Sequence, residues 1–386
     1  MNVAHFSDSA EALMRELAQY FAGEGYLPIE PGMMLPADAV LDHMGESIRK
    51  RLLITTAPDG TEFSMRPDFT LPLAHWQIAN GPPDGGRYSY SGFAFRYPNP
   101  DELTRVSAEF RQVGIENFGA GNAAEADADT LALAVCALQR AGIGSPKLIL
   151  GDVGLFEALI GSLNLGEMWS GRLRRLYWRH TLSEDMVLSL LQKSSITMPD
   201  EAALGGSLSR MEREDARVII AEVLAIAGVS GAGGREADEI AARYAQKARE
   251  AEGERPSLEV GELIDKFLSI EANAKDAPGQ LRDFARRAGL DLNSSIGGFE
   301  KRLEIAENLA INLDDAVFST TVGRRIEYYT GFVFEAHDQI TQAVGPLASG
   351  GRYDNFLSDI GDSNTLSAVG CSIYIDRLVF LSGEHK

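Results

Sequence analysis

Arg111-Gln112-Val113-Gly114-Ile115-Glu116 decides the fold. Read as a strand, it sets Gln112, Gly114 and Glu116 on one face and Val113 and Ile115 on the other. A glycine between an amide and a carboxylate clears space against a sheet. Just upstream, Gly92-Phe93-Ala94-Phe95-Arg96-Tyr97 repeats the pattern, with Gly92, Ala94 and Arg96 on one face and three aromatics opposite. Together the two strands offer a cation, an amide and a carboxylate over a floor of small residues. That set suits a zwitterion: Arg96 for a carboxylate, Glu116 or Asp68 for an ammonium, Gln112 for a neutral polar group. A blander reading stands beside it, in which Arg96 and Glu116 form a cross-strand ion pair and Gln112 is solvated.

Outward from these strands the chain alternates between textures. Asp8 and Glu11 open a first helix with Leu13, Leu17, Tyr20 and Phe21 as its apolar face, ending at Gly23 and Gly25. Leu52–Thr56, the Asp59-Gly60 turn and Glu62–Arg66 predict a hairpin. In Met65-Arg66-Pro67-Asp68-Phe69-Thr70, Asp68 and Thr70 either face a cleft or cap the helix that follows, or do both. A long Ala- and Leu-rich helix is expected over about 123–141.

Residues 155–311 read as mostly helical, with amphipathic stretches at Met186–Gln192, Glu236–Ala251 and Lys301–Leu309. Strands resume at Ala316–Thr321, Ile326–His337, Ala343–Leu347 and Ala368–Ile375. The class is α+β: a core of 1–154 and 312–386 whose antiparallel sheet is interrupted by a helical insertion at 155–311. In Ser349-Gly350-Gly351-Arg352-Tyr353-Asp354 the paired glycines allow a tight turn or a close backbone approach to a ligand.

Composition narrows the chemistry. At 386 residues, 45% hydrophobic and 24% charged, the chain is an ordinary globular sequence. It contains no apolar run long enough to span a bilayer and no signal pattern, so membrane association is not expected and the cytoplasm is the default location. With 36 Lys and Arg against 56 Asp and Glu, the net charge of −20 argues against nucleic acid as a partner. The cluster Arg172, Arg174, Arg175 and Arg179 reads as a solvated helix face, with docking through Trp169, Tyr177 and Trp178 kept as an alternative. Cys136 and Cys371 are far apart and the six histidines lack ligand spacing, so neither a metal nor a cofactor is called for.

These segments, in this order, resemble the class II histidyl-tRNA synthetase catalytic core across nearly the whole chain. They are Met65–Thr70, Phe95-Arg96-Tyr97, Gln112–Glu116 with Phe118-Gly119, Tyr328-Tyr329-Thr330-Gly331, Gly350–Asp354, and Ala368-Val369-Gly370 with Asp376-Arg377-Leu378. The resemblance implies a six-stranded antiparallel sheet flanked by helices, a homodimer through the N-terminal region and a histidine pocket. Within that pocket, Asp68, Thr70, Gln112 and Glu116 contact histidine and Tyr328, Tyr329 and Tyr353 form the walls. Arg96 is the class II arginine, and Arg324 aligns with the arginine that promotes adenylation.

Three departures set the chain apart from working synthetases. Nine residues follow Arg377, which leaves no place for an anticodon-binding domain. Pro98 replaces a glutamate that helps position ATP, and Tyr374 replaces a glycine that gives the purine room. This pattern is similar to the regulatory subunits of ATP phosphoribosyltransferase. It implies a non-catalytic partner of the short-form catalytic subunit, acting in histidine biosynthesis with L-histidine as effector. Arg324 points the other way, beside Arg325 and Glu327 at positions where synthetases carry glycine and aspartate. The competing readings are a truncated synthetase-like enzyme that adenylates histidine or a related amino acid, and a dimeric scaffold without histidine binding.

Overall fold

The computed structural model describes residues 8–44, 46–98, 107–178, 182–183, 185–187, 257–323, 327–339, 345–361 and 366–383. Arg324 and Arg325, the stretch Glu236–Ala251 and most of Met186–Gln192 lie outside these residues. The chain forms two compact units. One comprises 1–162, 178–180 and 267–386, and the other 163–177 and 181–266.

The first unit is organised by nine strands. They are β1 (Leu27–Pro28), β5 (Arg87–Phe95), β6 (Glu109–Phe118), β7 (Lys147–Asp152), β8 (Glu271–Asn273), β9 (Val317–Ser319), β10 (Phe332–His337), β11 (Ala348–Arg352) and β12 (Ala368–Tyr374). Their order is β1-β5-β6-β12-β11-β10-β7-β9-β8. The six strands from β5 to β7 are antiparallel throughout, as the resemblance implies. β1 and β9 extend that heart with parallel pairings that the sequence reading did not anticipate. β2 (Met34–Pro36), β3 (Ile54–Thr56) and β4 (Glu62–Met65) make a separate small sheet. Its β3–β4 hairpin turns at Asp59-Gly60, where Gly60 has φ +90° and Asp59 Oδ1 accepts from Thr61 N at 3.0 Å.

Helices cover the large sheet. α1 (Asp8–Gly23) buries Leu17 and Phe21, and contacts β5 and β6. It is followed by α2 (Ala37–His43), α3 (Glu46–Arg49) and α4 (Thr70–Asn80). α5 (Ala123–Arg140) starts where Asn122 Oδ1 accepts from the Ala124 and Glu125 amides, a cap that settles its first turn. It packs on β11 and β12 and against a later helix of this unit, Asn293–Asn308. Numbered in chain order, the remaining helices are α6 (Val153–Ser162), α7 (Glu167–Trp178), α8 (Leu258–Leu268), α9 (Ala277–Ala288), α10 (Asn293–Asn308), α11 (Phe356–Asp359) and α12 (Ile375–Leu381).

Two expected strands shift. The strand expected at Ile326 begins only at Phe332, and Tyr328-Tyr329-Thr330-Gly331 is turn and coil. The buried Phe332-Val333-Phe334 drives the pairing, while the polar, tyrosine-bearing stretch before it turns away from the ladder. The strand expected at Ala343–Leu347 is instead Ala348–Arg352; residues 343 and 344 lie outside the described set. The Gly350-Gly351 pair is therefore flat in the sheet. A Cβ on Gly350 would stand 2.5 Å from the Gly370 carbonyl oxygen, so this glycine serves packing within the sheet rather than the tight turn or the ligand approach expected of the pair.

Trp169 and Tyr177 on α7 are buried and so do not present the exposed aromatic docking face kept as an alternative above. Among the described residues no helix is long and apolar enough to cross a membrane, and no group of His, Cys, Asp and Glu is arranged to hold a metal ion.

Candidate functional site

The register of β5, β6, β12 and β11 collects one face of small and polar residues. Gln112 pairs with Gly92 and Tyr374, Gly114 with Tyr90 and Ser372, and Glu116 with Tyr88 and Gly370. Ser349 on β11 lies opposite Ser372. Over this face opens a cleft of ≈ 350 Å³, a figure that includes solvent at its mouth. Asp68, Thr70, Arg96, Gln112, Glu116, Tyr328, Tyr329 and Tyr353 all line it. Eight of the nine residues expected at the site thus converge, from five separate stretches of chain. The ninth, Arg324, lies outside the described residues.

Glu116 anchors the deep end. It is 2% exposed, its Oε1 accepts from Thr70 Oγ1 at 2.7 Å, and its Oε2 accepts from the Tyr353 hydroxyl. It lies directly over Gly370, where any Cβ would collide with its carboxyl. Burial raises its pKa to about 8, against the pull of the Tyr353 and Thr70 hydroxyls. Burial thus favours the neutral form of this carboxyl near neutral pH.

Asp68 joins the cleft from the start of α4. Its Oδ1 accepts from Thr70 N at 3.1 Å, so it serves the helix and faces the cleft at once. Burial raises its pKa too, with Arg96 opposing. Tyr328 donates to Thr70 Oγ1 at 3.4 Å, and its ring meets those of Tyr329 at 5.3 Å and Tyr353 at 5.5 Å. Burial lifts the pKa of all three phenols, keeping them hydrogen-bond donors.

Gln112 is 1% exposed, not solvated, and its Oε1 has no hydrogen-bond partner among the described residues. A buried acceptor left unsatisfied costs about 1–3 kcal/mol. A ligand N–H entering the cleft offsets that cost. Arg96 donates to the Pro67 carbonyl at 3.1 Å and stands over the Phe110 ring. A cross-strand Arg96–Glu116 pair is excluded, because Glu116 faces Tyr88 while Arg96 N bonds to Ala108 O.

The open floor predicted from glycines is only partly open. Tyr90 occupies the room above Gly114, where a Cβ would lie 2.3 Å from its hydroxyl, and Phe69 stacks on Tyr90 at 4.2 Å. Arg66 and Phe69 fill the room beside Gly92. The sequence reading missed these occupants because they come from neighbouring segments. It also missed two hydroxyl bridges across the face, Tyr90 to Ser372 at 2.6 Å and Tyr374 to Ser349 at 3.0 Å. Tyr374 itself lines the cleft, with Arg377 stacked on its ring at 4.3 Å. The arrangement is a polar cleft lined by two buried carboxyl groups and a guanidinium, suited to binding a small zwitterion.

Comparison with known proteins gives a consistent result. The histidyl-tRNA synthetase family profile matches residues 4–224 and 219–378. A Brucella anthropi protein named ATP phosphoribosyltransferase regulatory subunit is 34% identical over 360 residues, covering 93% of this chain and 94% of its own length. A Brucella canis protein of the same name is 33% identical over the same share of each chain. Among solved structures, a Bacillus halodurans ATP phosphoribosyltransferase regulatory subunit/histidyl-tRNA synthetase superposes with a TM-score of 0.61 at 22% identity, over 96% of this chain and 78% of that one. Histidyl-tRNA synthetase from Nostoc sp. PCC 7120 gives 0.60 at 16%, over 98% and 73%. These structures share the class II synthetase-like fold with this chain.

Proposed function

Because the chain belongs to the ATP phosphoribosyltransferase regulatory subunits, on a histidyl-tRNA synthetase-like fold, we propose that it binds and activates the short-form catalytic subunit of that enzyme and transmits feedback inhibition by L-histidine. In this reading the chain itself performs no catalysis. It is a cytoplasmic homodimer joined to its catalytic partner in a hetero-oligomer. Met34 on β2 and Ile54 on β3, 49% and 46% exposed, support a self-association surface at the small sheet.

The observation that carries the ligand assignment is the pairing of Glu116 with Gln112. A buried carboxyl held by two hydroxyls and a buried amide oxygen without a partner among the described residues together call for a ligand that brings N–H groups and positive charge. Arg96 supplies the complement for a carboxylate, and the three tyrosines, set edge to face, make an aromatic wall against which a ring can pack. Histidine carries all of these features.

Coupling to the partner is a free energy shared between two binding events. If histidine favours the less active assembly, the assembly that binds histidine best is the one the ligand populates. The test is to assay a short-form catalytic subunit alone, with this chain, and with this chain at increasing histidine. The expected result is activation by the chain and its suppression by histidine. A catalytic subunit equally active alone contradicts the proposal, and histidine-dependent ATP–pyrophosphate exchange by this chain would replace it with the adenylating enzyme.

A further inference from the structure

The sheet face opposite the cleft carries charged side chains where an apolar core is the norm. Arg352 on β11 is 3% exposed and Asp127 on α5 is 0% exposed. Arg352 Nε donates to Asp127 Oδ2 at 3.1 Å, and its Nη2 lies 2.7 Å from Oδ1 as an ion-pair contact without hydrogen-bond alignment. Nη2 also donates to the Ala123 carbonyl at 2.9 Å and Nη1 to Asp354 Oδ1 at 2.7 Å. Arg302 on α10 donates to the same Asp127 at 2.6 Å and lies 3.8 Å from Asp152 at the end of β7.

The same residues hold the cleft wall through their backbone. The Arg352 carbonyl accepts from Thr330 N at 2.8 Å, and Asp354 N donates to Thr330 Oγ1 at 3.0 Å. Val153 N, next to Asp152, donates to the Gly331 carbonyl at 2.9 Å. A Cβ on Gly331 would stand 3.1 Å from Arg352 Cδ, so the Tyr328–Gly331 stretch lies on the stem of this arginine. Tyr353 is its immediate neighbour in the chain.

We infer that the Asp127–Arg352 pair, backed by Arg302 and Asp152, positions the tyrosine wall of the ligand cleft. For stability alone the cluster has little justification, since well-packed apolar residues of similar volume do as well as a buried ion pair. What apolar packing does not supply is a planar fork that fixes α5, Asp354 and the β11 backbone in one geometry. Wall position matters because Tyr353 bonds Glu116 and Tyr328 bonds Thr70. A shift there moves the whole deep end of the cleft. The inference rests on the ligand reading above.

Its test is hydrogen exchange combined with calorimetry on the full chain carrying Arg352→Met and Asp127→Leu together, which removes both charges of the pair and leaves Arg302 to Asp152. We expect a folded protein whose Thr330 and Asp354 amides lose about tenfold or more in protection while the β6–β12 ladder keeps its own. We expect its histidine dissociation constant to rise about tenfold. Unchanged protection at both amides overturns the inference, as does unchanged affinity. Should the double variant fail to fold, Arg352→Lys keeps the charge, loses the fork, and is judged by the same two amides. A wild-type protein that gives no heat with L-histidine defeats the ligand reading, and the exchange measurement still decides this one.

Discussion

The two faces of one sheet treat buried charge in opposite ways. On the helix-covered face, Asp127 is gripped by Arg352 and Arg302, and Arg352 is also ion-paired to Asp354. On the cleft face, Glu116 is as deeply buried but meets only hydroxyls at its two oxygens, and burial pushes its pKa up to about 8. Asp152 marks the boundary between these regimes: with Arg302 at 3.8 Å it is pushed up only to about 6. A buried charge already satisfied shapes a protein, whereas one short of a partner is poised for a ligand.

Removing a partner on the satisfied face should cost most. Asp127→Ala deprives the buried Arg352 and the half-buried Arg302 of their shared carboxylate, and urea unfolding should show a loss of about 3–5 kcal/mol. A loss below 1 kcal/mol would erase the contrast between the faces.

On the unsatisfied face the effect should depend on pH, and in a defined direction. Glu116 binds its proton more tightly folded than unfolded. The stability it contributes is therefore complete below about pH 4.5 and lost as pH rises through about 8. Glu116→Gln should be more stable than wild type at pH 9, by on the order of 2 kcal/mol, with the gap closing toward pH 5. Melting temperatures across that range check it, and a gap that widens toward acid reverses the sign of the account.

Smaller effects sharpen the comparison. Tyr374→Phe removes the hydroxyl that bridges to Ser349 at 3.0 Å, and should cost about 1 kcal/mol in thermal unfolding. Arg282→Ala deletes an exposed pair with Glu300 on the protein surface, and should change stability by less than about 0.5 kcal/mol.

The cleft was legible in the sequence to the extent that strand alternation made it so. Gln112 and Glu116 share a face because a strand has a period of two, and the register preserves that face across β5 and β12. What lies above a glycine is not a local property: Tyr90 reaches over Gly114 from the neighbouring strand, and no spacing rule foretells it. The β10 boundary was misplaced for a related reason, since Tyr328-Tyr329 have strand propensity but turn toward the cleft. Asp127 was hidden inside an Ala-rich helix pattern, and its partner Arg352 lies 225 residues away. Buried ion pairs of that kind are visible only when helix and sheet are placed together.

The central claim, that the unsatisfied face binds L-histidine, is tested most directly by titrating histidine calorimetrically into the protein at pH 6, 7 and 8, in two buffers of different ionisation enthalpy. The account predicts binding at each pH, release of up to one proton as Glu116 ionises against the ligand's positive charge, and affinity that rises toward pH 8 by up to about tenfold per unit. Absence of binding heat in both buffers, or binding whose affinity falls as pH rises from 6 to 8, would contradict it.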